Sequence, residues 1–419
     1  MLLTEMFRNA VKDSKDYGMK TEAVFDVQYS TGFPNVDYLN GQIIRVTDTN
    51  RGIEFEYDSV GIVDGSINMV IGRSGCGKST FIKQAAGNII RGFDKGAIFE
   101  DSIEGGITRR RDEILTGMTP EELNTKMIVR NAGISTETFY KSIKIIYDKK
   151  TEHADEFTYD TGKFDSRGNR IYKMQPTVYI LDSLAMLMPE KMTQEEELSG
   201  QMSTTAAAKM IATTMRRIVP LCKAANIIVF IVNHITQKIE INAFTHSKGQ
   251  NIYLKQDETC PGGVTPFYIA NNIFRLDDNT KLTEDKGLGI SGNHVLITMV
   301  KSRTNRAGAS TDMIFNQDIG FDVILTLYNM LNDNGFIKGA GAYLYIDGYQ
   351  DVKFAQKNFK KKLFENEEFK NVFLDTCTKV LHNMLHRLDS ATDDEFIKAT
   401  GITQELYMRL NSREEDIVA

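Results

Sequence analysis

The sequence predicts an α/β protein: a twisted, mostly parallel central sheet flanked by helices, with a small N-terminal and a helical C-terminal extension. Three observations carry this expectation. Between residues 66 and 235, short β-branched runs such as 67–71 and 227–232 alternate with helix-length segments, the pattern of strands buried on both faces. The first run leads into a glycine-rich turn that opens a helix. After residue 265, strand-like runs follow one another directly, which implies an antiparallel extension of the same sheet.

The elements follow in chain order. Residues 1–65 read as an extension: a short amphipathic helix at 4–17, a strand at 23–29, and a hairpin at 42–57, where apolar and polar residues alternate around Asp48 and Gly52. Residues 66–350 form the core. They begin with a strand at 67–71 and a helix at 78–91, then strands at 97–100 and 127–130 and a helix at 136–147. The polar stretch 149–173 reads as an inserted hairpin, because Asp160, Gly162 and Gly168 supply turn chemistry. A strand at 178–181, a long helix at 203–225 and a strand at 227–232 come next, then strands at 267–276, 294–303, 312–315 and 342–346. Residues 351–419 read as a helical, charged C-terminal region.

Composition narrows the class. At 419 residues the chain can bury one large core. Its apolar runs are far too short to cross a bilayer, so no membrane partner is expected. The first residues show no secretion signal. Cys76, Cys222, Cys260 and Cys377 are scattered with no CxxC pair, which argues against a zinc site or disulfide framework and fits a cytoplasmic location. A net charge of −6 provides no global basic field, so any nucleic-acid contact must be local.

One segment carries specific chemistry. Gly72, Arg73, Ser74, Gly75, Cys76, Gly77, Lys78 and Ser79 match GxxxxGK[ST] in full, after a strand and before a helix, and Thr80 follows. Glycines let backbone N–H groups converge on phosphate oxygens, and the helix N-terminus adds positive potential. Lys78 is placed to reach the β- and γ-phosphates, and Ser79 to ligate Mg²⁺. Such a loop needs an acidic residue at another strand end for the metal, and Asp182 ends the run 178–182. The expected cofactors are ATP and Mg²⁺. Hydrolysis also needs a group that orients water. Three carboxylates after the strand at 97–100 compete for that role: Glu100, Asp101 and Glu104.

The stretch 178–235, with Asp182, Ser183 and then Asn233-His234, resembles RecA-type recombinases, in particular the UvsX recombinases of T-even-type phages. The resemblance extends to Lys301-Ser-Arg-Thr304 and to Phe99-Glu-Asp-Ser102; it spans about residues 25–380 and is dense between 66 and 350. It implies a RecA-like core, with protomer contacts made by the N-terminal extension. It favours Glu104 as the water-activating residue, although Ile103 is one residue more than the family's spacing. It implies that His234 senses the γ-phosphate and that Lys301 and Arg303 reach the nucleotide of a neighbouring protomer.

Two segments then take the position of DNA loops. The first, 189–203, carries Glu190, Glu195, Glu196 and Glu197 and repels phosphate, so Lys209, Arg216 and Arg217 on the following helix supply the compensating charge. The second, 236–263, interleaves Lys238, Lys248 and Lys255 with Phe244 and Tyr253 and ends in Gly262 and Gly263. Lysines hold phosphates while aromatic side chains stack on bases. The implied function is an ATP-dependent recombinase, found in the infected bacterial cell if phage-encoded. It self-associates into helical filaments on single-stranded DNA, pairs it with double-stranded DNA, and works with mediator and single-stranded-DNA-binding proteins. A hexameric replicative helicase of the same fold and a non-catalytic paralogue are the alternatives.

Overall fold

The computed structural model describes residues 27–389 except 49–51, 106–107, 166–167, 195–199, 238–250, 286–289 and 342. Nine strands form its central sheet: β1 (Ile67–Gly72), β2 (Ala97–Ser102), β3 (Met127–Arg130), β4 (Thr177–Asp182), β5 (Ile227–His234), β6 (Asn272–Asp285), β7 (Ile290–Lys301), β8 (Ser310–Asn316) and β9 (Gly320–Phe321). Their order across the sheet is β9-β8-β7-β6-β1-β5-β4-β2-β3. From β6 to β3 every pairing is parallel. Strands β7, β8 and β9 add in antiparallel fashion at the β6 side.

Alternation along the buried strands builds two cores. Val70, Val178, Ile180, Phe230 and Val232 face one side, and Met69, Ile71, Tyr179, Leu181, Val229 and Ile231 face the other. Helix α1 (Lys78–Ile90) covers the first side with Phe81, Ile82, Ala85, Ala86 and Ile89. Helices α2 (Thr136–Glu152) and α3 (Gly200–Ala225) cover the second with Phe139, Ile143, Ile211, Met215 and Ile218. Full burial of each large apolar side chain contributes about 1.5–3 kcal/mol, so the strands at the sheet centre are anchored from both faces.

Several expected boundaries move. Helix α2, opened by a Ser135–Thr138 capping box, runs to Glu152 rather than 147, so the insert begins later. It consists of a short helix, Ala154–Phe157, and a hairpin of Thr158–Phe164 with Arg170–Met174. That hairpin packs on the N-terminal one, Gln42–Asp48 with Ile53–Ser59: Phe164 lies edge-on to Phe55, and its carbonyl accepts a bond from the Tyr57 hydroxyl (2.8 Å). Residues 267–269 are not strand. They belong to helix α4 (Thr265–Ile269), because Pro266 in its first turn is preset for helix and has no N–H to lose. Helix α3 starts at Gly200, not 203.

The strand expected at 342–346 is not part of the central sheet. Leu344–Ile346 pairs with Ile337–Lys338 and Tyr349–Phe354 in a separate three-stranded sheet. Helix Val323–Asp333, capped by Asp322, leads the chain away from β9 into a third core. That core joins Leu325 and Leu331 to Phe354, Phe359, Phe369 and Phe373, and so draws on both sides of residue 350. The expected helix at 4–17, most of the strand at 23–29 and residues 390–419 lie outside the described residues. Among the described residues no helix is long and apolar enough to cross a membrane.

Candidate active site at the carboxyl edge of the sheet

Parallel pairing sets the carboxyl ends of β1, β5, β4 and β2 side by side. Gly72 pairs with His234, and Asp182 with Ser102. Open α/β sheets present ligand sites at this edge. A β-carbon at Gly72 would come within 2.5 Å of the Leu276 carbonyl oxygen, so only glycine fits there. Gly77 has φ +87° and heads the 13-residue helix α1 without any side-chain cap, which leaves the first N–H groups of that helix facing the turn. Arg73, Ser74 and Gly75 are exposed, Thr80 is half-buried, and Cys76 is buried with its thiol donating to the Arg73 carbonyl (3.0 Å).

Lys78 is only 5% exposed, yet its ammonium donates to neutral groups, the carbonyls of Gly72 (3.1 Å) and Arg73 (2.7 Å). A buried cation with only neutral partners is poorly compensated. The Ser79 hydroxyl donates to Asp182 Oδ2 at 2.5 Å. Burial pushes the Asp182 carboxyl above its ordinary value; the Ser79 bond opposes this and the charge of Glu104 adds to it. A hydroxyl beside a buried carboxylate fits a small hard divalent cation that keeps most of its ligands as water and phosphate oxygen. Among the described residues no cluster of three or more His, Cys, Asp or Glu side chains is placed to hold a metal. Ser79 and Asp182 are the residues that would hold it.

The three carboxylates after β2 have different surroundings. Glu100 is buried against Lys83 (2.7 Å), which also binds Asp112 (2.6 Å). Asp101 is held by Arg130 through two bonds of 2.8 Å and by the Tyr179 hydroxyl (2.6 Å). Glu104 alone opens to the edge. Its Oε1 accepts from Ser183 (2.5 Å) and lies 2.7 Å from His234 Nε2. Partial burial would raise its pKa, but the bonds from Ser183 and His234 and the charges of His234 and Lys78 hold it below the usual carboxylate range.

His234 ends β5 and leads into the second loop segment. The base of that segment is tied down: Thr236–Gln237 pairs with Glu258–Thr259, and Asn233 donates to the Pro261 carbonyl (2.9 Å). Arg275 grips Glu258 through bonds of 2.6 and 2.7 Å, and this pulls the Glu258 carboxyl down to about 2. Gly262 (φ +86°) packs against Leu184 and Gly263 (φ +74°) is exposed. Lys255 and, on α3, Lys209 are exposed; Tyr253 stacks on Phe267 (6.2 Å). Lys238, Phe244 and Lys248 lie outside the described residues.

The structure does not bring Lys301 and Arg303 to this edge. Lys301 pairs with Ile273 at the start of β6, whereas Leu276, further along β6, pairs with Gly72. These two cations therefore sit toward the amino edge of the sheet, away from the turn 72–79. Sequence reasoning missed Ser183, Asn233 and the Glu258–Arg275 pair. Adjacency to Asp182 and His234 was the available signal for the first two; for the ion pair there was none. No protein-family model matches the chain, and no curated protein matches it.

Proposed function

We propose that the chain binds ATP with Mg²⁺ at residues 72–80 and hydrolyses it as a RecA-type recombinase, assembling into helical filaments on single-stranded DNA and pairing it with homologous duplex. The observation that carries this reading is the convergence of Lys78, Ser79, Asp182, Glu104 and His234 at one sheet edge, at the base of the loop 236–263.

The uncapped N–H groups of α1 and the ammonium of Lys78 hold the phosphates. Ser79 and Asp182 would hold Mg²⁺, which would supply positive charge against the phosphates. Glu104 orients and polarises the attacking water; its hydrogen bonds from Ser183 and His234 keep it ionised for that task. His234 donates either to Glu104 or to a terminal phosphate, so loss of that phosphate changes what the strand end holds just before the loop. Because Lys301 and Arg303 lie at the other edge, a complete site takes two protomers, and head-to-tail contacts that do not close generate a filament.

The test is ATP turnover by the purified chain with and without single-stranded DNA, followed by homologous pairing into a supercoiled duplex and electron microscopy of the assembly. Stimulated turnover, joint molecules and filaments of varied length support the reading. Six-membered rings with directional unwinding support a helicase instead, and absence of turnover leaves a non-catalytic DNA-binding paralogue.

A further inference from the structure

A cavity of about 410 Å³ opens at the amino ends of β2 and β4, at the far end of these parallel strands from the turn 72–79. Its apolar wall is Ala97 and Phe99 of β2, Ile145 and Ile146 of α2, and Phe157 of the short helix in the insert. Ile145 remains 60% exposed beside it. Sites for small molecules usually enclose about 300–1,000 Å³, are mostly apolar and carry a few polar groups that fix orientation. A space of this size suits a compact ligand rather than a folded partner.

The polar part of the lining is four lysines and one carboxylate, Asp94. Lys95 and Lys149 are paired at the surface with Glu156 (2.5 Å) and Glu152 (2.7 Å). The other two lysines have only neutral partners among the described residues. Lys126 Nζ donates one bond, to the Phe93 carbonyl (2.9 Å), and so keeps two donors in hand. Lys150 is 3% exposed and donates to the carbonyls of Gln175 (2.7 Å) and Asn226 (3.3 Å) and to the Thr177 hydroxyl (3.1 Å). Its ammonium and that of Lys95 lie 5.7 and 5.4 Å from the centre of the Phe157 ring. Burial pushes the Lys150 ammonium down to about 7. A buried cation without a counter-charge gains from any anion brought near it.

We propose that this cavity binds a small amphiphilic anion, with an apolar aromatic or aliphatic body and one acidic head. The body fills the space between Phe99, Ile146 and Phe157, and the head takes the spare donors of Lys126 in the field of Lys150. An apolar hole alone would take a neutral ligand equally well; the excess of lysine over aspartate in the lining selects the anion. The site uses none of the residues at the carboxyl edge of the sheet and stands apart from the function proposed above.

The probes are two dyes that brighten in apolar surroundings: anilinonaphthalene sulfonate, and phenylnaphthylamine, the same body without the acidic head. Titrated into the full chain, the sulfonate is expected to bind about tenfold or more tighter than the neutral dye, the scale of one charge-assisted hydrogen bond. Lys126→Met is expected to remove that advantage and Lys126→Arg to restore it. Ala97→Leu fills the cavity and is expected to weaken both dyes. In the unmutated chain, sulfonate at ten times its dissociation constant is expected to slow hydrogen exchange of residues 145–157 about tenfold, by mass action. Excess ATP with Mg²⁺ is expected to leave the dye bound. Equal affinity for the two dyes overturns the anion. Exchange at 145–157 untouched by bound sulfonate overturns the site, even if Ala97→Leu fails to fold. Displacement by ATP puts the dye at the turn 72–79 and overturns it too, as does binding that falls when the chain self-associates, which means that a second copy covers the cavity.

Discussion

Two lysines five residues apart on helix α1 are both buried and have opposite surroundings. Lys83 lies between Glu100 and Asp112, each within ion-pair distance. Lys78 has only the carbonyls of the turn before it as close oxygen partners. The two glutamates after residue 99 repeat the contrast: Glu100 is neutralised inside the fold, and Glu104 faces the edge with Ser183 and His234. A buried charge with a matched counter-charge is complete as it stands. Lys78, held by neutral carbonyls at the mouth of a parallel sheet, leaves its field open to a ligand, and Glu104, though partnered by Ser183 and His234, stays open to the same edge. On this contrast Lys83, Glu100 and Asp101 serve the fold, and Lys78 and Glu104 are the residues to which the proposed function gives chemical roles.

The contrast breaks most visibly at Lys83. Lys83→Met leaves Glu100 and Asp112 buried without their cation and is expected to cost about 3–5 kcal/mol of stability, read as a lower denaturation midpoint. Lys78→Ala is expected to do the reverse, keeping the midpoint and lowering ATP turnover about a thousandfold, the upper scale for removing one preorganised donor. A matching loss of stability in both variants would erase the distinction.

The glutamates sharpen it. Glu104→Gln is expected to retain nucleotide and DNA binding while turnover falls about a hundredfold, within the range for general acid–base groups. Glu100→Gln is expected to lower stability and leave turnover per folded molecule within about twofold, since it removes one partner of a pair and touches no reacting atom. If Glu100→Gln or Asp101→Asn slows turnover selectively and Glu104→Gln does not, the assignment moves to that residue.

The smallest effect lies at the base of the loop, where Glu258 and Arg275 form another completed pair. The folded pKa of Glu258 is depressed to about 2 from an ordinary 4.5. Its contribution is therefore fully present above the ordinary value and is lost as pH falls from about 4.5 towards 2. Expressed in stability this is on the order of 2 kcal/mol. Acid titration of the denaturation midpoint should show less loss over that window in Glu258→Gln than in the parent.

What was legible in the sequence follows the range of the interactions. The turn from β1 into α1 was readable because its glycines, Lys78 and Ser79 stand within eight consecutive positions. The parallel strands were readable from their own β-branched runs. The partners that sort Glu100 and Asp101 from Glu104 come from elsewhere: Lys83 from α1, Arg130 from the edge strand, Tyr179 from β4. Only the fold brings them together, so the residues alone left three carboxylates in contention and only the resemblance favoured Glu104. Helix α4 was read as strand because Phe267–Ile269 is a short apolar run of either type; Pro266 was the cue that decides it. The helix Pro120–Lys126 went unread although Thr119 and Glu122 form a local capping box.

The central claim is that backbone amides and Lys78 hold a triphosphate at the mouth of α1 and that its terminal phosphate governs the loop beyond His234. It is tested most directly by titrating the purified chain with a fluorescent single strand in the presence and absence of Mg²⁺ and a labelled, slowly hydrolysed ATP analogue. The expected result is retention of the analogue with a rise in affinity for the strand of about tenfold or more, a coupling of ordinary size, lost in Lys78→Ala. A chain that retains no analogue, or whose affinity for the strand is the same with and without it, would contradict the account.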